Sequence, residues 1–90
     1  MVAPLPPAEA AAQRNRLKRL WKSEEYKSSA KFAEALGISA ARLSNPENGY
    51  PLSIEVARLI KNLIPGMTLD WLYDGDEAGL TVALRKRLRE

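Results

Sequence analysis

Seven consecutive residues, Ser39-Ala40-Ala41-Arg42-Leu43-Ser44-Asn45, combine side chains that hydrogen-bond base edges with others short enough to let them approach. Asn45 can pair bidentately with adenine, Arg42 can take guanine or a phosphate, and the Ala40 and Ala41 methyls can lie against a thymine methyl. Ser39 and Ser44 add hydroxyls that serve as donor or acceptor. On a helix, Leu43 turns toward the core, which leaves Ala40, Ala41, Arg42, Ser44 and Asn45 outward. This chemistry is recognition of double-stranded DNA, without bond making or breaking. Each residue also has an ordinary alternative: alanine is a good helix former, and an asparagine before a proline can act as a local cap.

Chemistry of other kinds finds less support. The chain has no Cys and no His, which removes disulfides, thiolate nucleophiles, zinc clusters and the commonest general base near neutral pH. Ser, Tyr and carboxylates stand without a base, a metal set or a glycine-rich phosphate loop. Neither an enzyme nor a cofactor or metal is expected.

The elements around the seven residues are suited to present them. Gly37 can take the positive φ that ends a helix, and Ser39 can cap the next one, so a tight turn joins two short helices. Phe32, Ala33 and Leu36 share a face ahead of the turn, and Leu43 points back at it. Ala33 lies where crossing helices leave room for little more than a methyl group. This is the layout of a helix-turn-helix, and the turn alone fits equally an αα-corner with no DNA role. Phosphate contacts are expected from Lys27, Ser28, Ser29 and Lys31 at the N-terminus of the first of these helices, because free N–H groups attract anions. Asn48, Gly49, Tyr50 and Ser53 extend that set beyond the second helix, although the Tyr50 ring can equally pack over the loop.

Three ordered segments, Leu43-Ser44-Asn45-Pro46-Glu47-Asn48-Gly49, Leu52-Ser53-Ile54-Glu55-Val56-Ala57 and Leu69-Asp70-Trp71-Leu72-Tyr73-Asp74-Gly75, resemble the recognition helix, following loop and later helices of the phage repressor and Cro (XRE) family. The resemblance covers roughly residues 14–75. It implies an all-α, compact five-helix repressor-like domain with a helix-turn-helix, to which this chain adds a C-terminal helix. It also implies a transcriptional regulator, a repressor in the first instance, reading a palindromic operator as a homodimer. Base contacts would come from the first positions of the recognition helix and from Asn45. An ion pair common in the family would join Lys22 to Glu47. The fifth helix, with Trp71 and Tyr73, resembles a family dimer interface; a stripe of Leu80, Leu84 and Leu88 is a second dimerisation candidate, with packing on its own domain preferred.

Two positions depart from the family pattern. Ser29 replaces a common Gln and reaches less far. Pro46 replaces an apolar residue and is expected to end the recognition helix early, since proline lacks an N–H and disfavours helical geometry in Asn45. Between Trp21 and Ser29 the chain is one residue longer than most members, which leaves open whether Tyr26 fills the apolar slot before the next helix. A protein of another class, an antitoxin or adaptor, would use the same scaffold mainly to bind a protein partner through the exposed apolar stripe.

Size and charge agree with a small folded module. Ninety residues, 46% hydrophobic and 28% charged, suit one folded domain rather than a disordered tail. Residues 1–7 are expected as a flexible arm, 8–76 as the DNA-binding domain and 77–90 as the C-terminal helix. Helix one should run from about Ala8 to Ser23 with Leu17, Leu20 and Trp21 inward; helix four should follow the cap Ser53 and helix five the cap Thr68. The last helix is placed from about Glu77, with acid at its start and Arg85, Lys86, Arg87 and Arg89 at its end. The net charge is only +3, but Arg14, Arg16, Lys18, Arg19, Lys22, Lys27 and Lys31 crowd the first third while Asp70, Asp74, Asp76 and Glu77 cluster later. No apolar run has the length of a membrane span and no basic n-region opens the chain, so the expected location is cytoplasmic, without membrane contact.

Overall fold

The computed structural model describes residues 3–89. Six helices follow one another: α1 (Pro7–Ser23), α2 (Ser29–Leu36), α3 (Ala40–Glu47), α4 (Ile54–Leu63), α5 (Leu69–Asp74) and α6 (Val82–Arg89), with no strand among the described residues. They form a compact all-α bundle around one continuous core. No described helix is long and apolar enough to cross a membrane.

α1 is the central element, packed against α2, α3, α5 and α6. Pro7 stands at its first turn, where a missing N–H costs nothing, and Glu9 faces the positive dipole end. Its C-terminus closes with Glu25 N–H on Lys22 O (3.0 Å) and Tyr26 N–H on Trp21 O (2.9 Å), the two bonds of a Schellman motif. The left-handed position of that motif is held by Glu25 at φ 64°. The turn delivers the Tyr26 ring to within 5.2 Å of Phe32, so Tyr26 does fill the apolar slot ahead of α2. The next helix ends in the same motif with Gly37 at φ 77°: Gly37 N–H reaches Glu34 O and Ile38 N–H reaches Ala33 O, both at 3.1 Å.

Ser39, Ser53 and Thr68 cap α3, α4 and α5 through their side-chain oxygens as expected. Two boundaries differ from expectation. α3 continues through Pro46 to Glu47, because Pro46 lies in the last turn and Asn48 N–H closes the helix on Ser44 O at 2.8 Å. α6 begins at Val82 rather than near Glu77: Leu80 N–H closes a turn on Glu77 O at 3.1 Å, Asp76 Oδ1 accepts from Ala78 N–H, and Thr81 Oγ1 accepts from Leu84 N–H. Its first turn therefore carries no acid, while Lys86, Arg87 and Arg89 occupy its last.

α6 belongs to the main core. Leu84 is fully buried, and Leu80 and Leu88 are 5% and 3% exposed. Two α1 arginines brace the C-termini of neighbouring helices, where carbonyls lack partners. Arg16 donates to Leu72 O (3.2 Å) and Tyr73 O (2.9 Å) of α5; Arg19 donates to Leu88 O from both Nε (3.2 Å) and Nη2 (2.9 Å). Burial lowers the pKa of Arg16 from its ordinary value, and the charge of Asp74 opposes that shift.

Candidate nucleic-acid interface

The turn at Gly37 sets α3 against α2, and Leu43 buries against Phe32, Ala33 and the rest of the core. What remains outward is a short-sided face: Ser39, Ala40, Ala41, Arg42 and Asn45 are exposed and Ser44 is half-buried. Ser44 Oγ donates back to Ala41 O at 3.0 Å, so its hydroxyl is occupied within the helix. The Asn45 side chain makes no hydrogen bond among the described residues, while its carbonyl accepts from Asn48 and Tyr50 N–H, both at 3.1 Å. Arg42 Nη2 lies 3.1 Å from Glu55 Oε2, at the start of α4.

Beside this face runs an open groove of about 710 Å³ between α3 and the start of α4, lined by Arg42, Asn45, Tyr50, Ser53, Ile54 and Glu55 among others. Tyr50 and Ile54 are 43% and 47% exposed there. Lys27 and Lys31 are exposed at the start of α2, where Ser28 Oγ accepts from Lys31 N–H (3.2 Å) and Ser29 is half-buried. Lys31 Nζ also approaches Glu34 at 3.6 Å with both side chains mostly exposed, a pairing weak enough to yield to a phosphate. Asn48 and Ser53 are exposed on the far side of α3.

Gly49 is placed differently from the expected phosphate contacts. It is buried and supplies the left-handed residue, φ 101°, that closes α3. Its carbonyl accepts from Leu5 N–H at 2.7 Å and its N–H faces Pro46 O, so both backbone groups are engaged inside the protein. The Leu5 bond also ties the arm to the α3–α4 loop. Of the dimerisation candidates, Trp71, Leu80, Leu84 and Leu88 lie within the chain's own core, and only Tyr73, 36% exposed, retains surface. The stripe is buried because it seals α6 onto the domain.

The expected Lys22–Glu47 pair does not form, and neither residue joins an ion pair among the described residues. The link between α1 and the end of α3 runs instead through Gln13, which is only 3% exposed. Its Nε2 donates to Pro46 O (2.8 Å) and Tyr50 O (2.7 Å), and its Oε1 accepts from Leu52 N–H (3.3 Å). Sequence reading missed Gln13, yet a signal was there: it precedes Leu17 and Leu20 by four and seven residues, a polar side chain in line with an apolar stripe. Arg16 and Arg19 belong to the basic first third of the chain, but their guanidinium groups are committed to carbonyls.

No protein-family model, curated protein or solved structure matches the chain.

Proposed function

We propose that this protein is a sequence-specific DNA-binding regulator of the phage repressor/Cro kind, in which α2 and α3 act as a helix-turn-helix and residues 39–45 enter the major groove. The observation that carries this reading is the outward face of α3. Two methyl-sized residues, a guanidinium and an unengaged amide lie side by side on one exposed, core-anchored helix, which is the composition needed to approach and read base edges. Lys27 and Lys31 on one side and Asn48, Tyr50 and Ser53 on the other are the surface groups for phosphates. One such helix reads few base pairs, so the working unit is a homodimer on a palindromic operator, with half-sites about 34–36 Å apart. The adaptor reading relied on Leu80, Leu84 and Leu88 as an open surface, and their burial removes that support.

Selection from a random duplex library, followed by salt titration, tests the reading. A selected site should be bound at least about a thousandfold more tightly than random duplex, with steep salt dependence on both. Asn45→Ala should relax preference at one base position, whereas Lys31→Ala should weaken all duplexes alike and flatten the salt slope. Failure to enrich any motif rejects sequence-specific regulation.

A further inference from the structure

Arg42 is the single cation of α3, and the structure gives it a partner that no base-reading argument requires. Resting on the reading that α3 enters the major groove, we propose that Glu55 is the positioning residue for Arg42, ordering its guanidinium for one base pair while lowering affinity for DNA of every sequence.

The geometry has three parts. Glu55 Oε2 holds Arg42 Nη2 at 3.1 Å across the edge of the α3–α4 groove. Glu55 stands in the first turn of α4, where the helix dipole favours a carboxylate, and α4 is anchored in the core by Val56, Ala57 and Ile60. The backbone that carries Glu55 is therefore fixed, and its carboxylate is the more exposed partner, 79% against 48% for Arg42, so the bond biases the guanidinium rather than locking it. A guanidinium has five N–H donors in a fixed fork, so a bond to one carboxylate oxygen leaves enough for guanine O6 and N7. Held this way, Arg42 meets the groove with part of its rotamer freedom already lost. A free Arg42 would swing to the nearest phosphate, which carries no sequence information. The uncompensated part of the Glu55 charge faces the same polyanion and weakens every complex. Affinity is exchanged for discrimination.

Two substitutions separate the charge from the hydrogen bond. Glu55→Gln removes the charge and keeps an oxygen acceptor, while Glu55→Ala removes both; the exposure of Glu55 predicts folded variants, checked by thermal melts. Binding is measured on the selected duplex, on its three substitutions at the base pair whose preference Arg42→Ala abolishes, and on random duplex. Both variants should bind random duplex several-fold more tightly. Glu55→Ala should lose about two- to fivefold in preference at that one base pair, the effect of an exposed ion pair, and Glu55→Gln should keep most of it. Retention of full preference by Glu55→Ala, or a loss at some other base pair, overturns the positioning role while leaving DNA binding intact. No duplex binding by the unaltered protein overturns the parent reading and this one together, so the two failures are told apart.

Discussion

Replacing Gln13 by alanine removes three hydrogen bonds that join α1 to the end of α3 and the loop before α4. Two of the partners left behind, Pro46 O and Leu52 N–H, are in buried bonds, while Tyr50 O is in a partly buried one that water can replace. An unsatisfied buried backbone group costs about 1–3 kcal/mol. The Leu52 bond is long at 3.3 Å and belongs at the low end of that range, which gives about 2–4 kcal/mol for the substitution. A domain of this length has total stability of about 5–13 kcal/mol, so the loss is a large part of it and lowers Tm by about 10–25 °C. Urea titration followed by circular dichroism measures it, and an unchanged m-value would show that the unfolded state is not responsible. Gln13→Glu is the sign control. It keeps the side-chain size but sets oxygen against oxygen at the two positions now bonded at 2.8 and 2.7 Å. Its buried carboxyl would have a folded pKa above that of the unfolded chain, so stability should fall as pH rises through the unfolded value and return on acidification. A cost for Gln13→Ala below about 0.5 kcal/mol, within the range of an ordinary surface change, would refute the bracing role.

Three further outcomes test the fold. Glu25→Gly should stabilise the protein by about 0.5–1 kcal/mol in the same titration, since a left-handed residue at φ 64° carries a steric cost that glycine avoids. Leu84→Ala should destabilise by about 2–5 kcal/mol, because Leu84 is fully buried; a near-neutral result would make α6 an appendage. Tyr73→Phe removes the hydroxyl bond to Leu52 O at 2.9 Å and should cost about 0.5–1.5 kcal/mol near neutral pH. Burial raises the Tyr73 phenol above its ordinary 10.0; its contribution is present below pH 10.0 and is lost as pH rises through the raised folded value. The parent protein should therefore lose stability more steeply than the phenylalanine variant in alkaline denaturation.

Much of the scaffold is legible in the residues because its signals are local. A helix end needs a left-handed residue within one turn, and a helix start needs an oxygen three residues ahead of an amide, so Gly37, Ser39, Ser53 and Thr68 declare themselves. The exposed face of α3 follows from the same helical periodicity once Leu43 is turned inward. Glu25 escaped this reading because it occupies a position where the sequence signal is glycine. Gly49 was visible as a loop glycine, but whether its backbone groups faced solvent or the protein depended on Pro46, whose carbonyl its N–H faces, and on the distant Leu5, whose N–H its carbonyl accepts.

The all-α class, the order of helices and the outward set Ala40, Ala41, Arg42 and Asn45 were determined by the sequence alone, since capping, φ preference and helical period act within a few residues. Tertiary structure decided which polar groups were spent on the protein itself. Arg16 and Arg19 look like any other bases in the first third, yet their guanidinium groups reach carbonyls 56 to 69 residues away. The contacts of Gln13, the Arg42–Glu55 pair and the buried Leu84 stripe arise the same way, because a hydrogen bond or a core contact across the fold depends on where two helices meet, and that is set by all the packed side chains together.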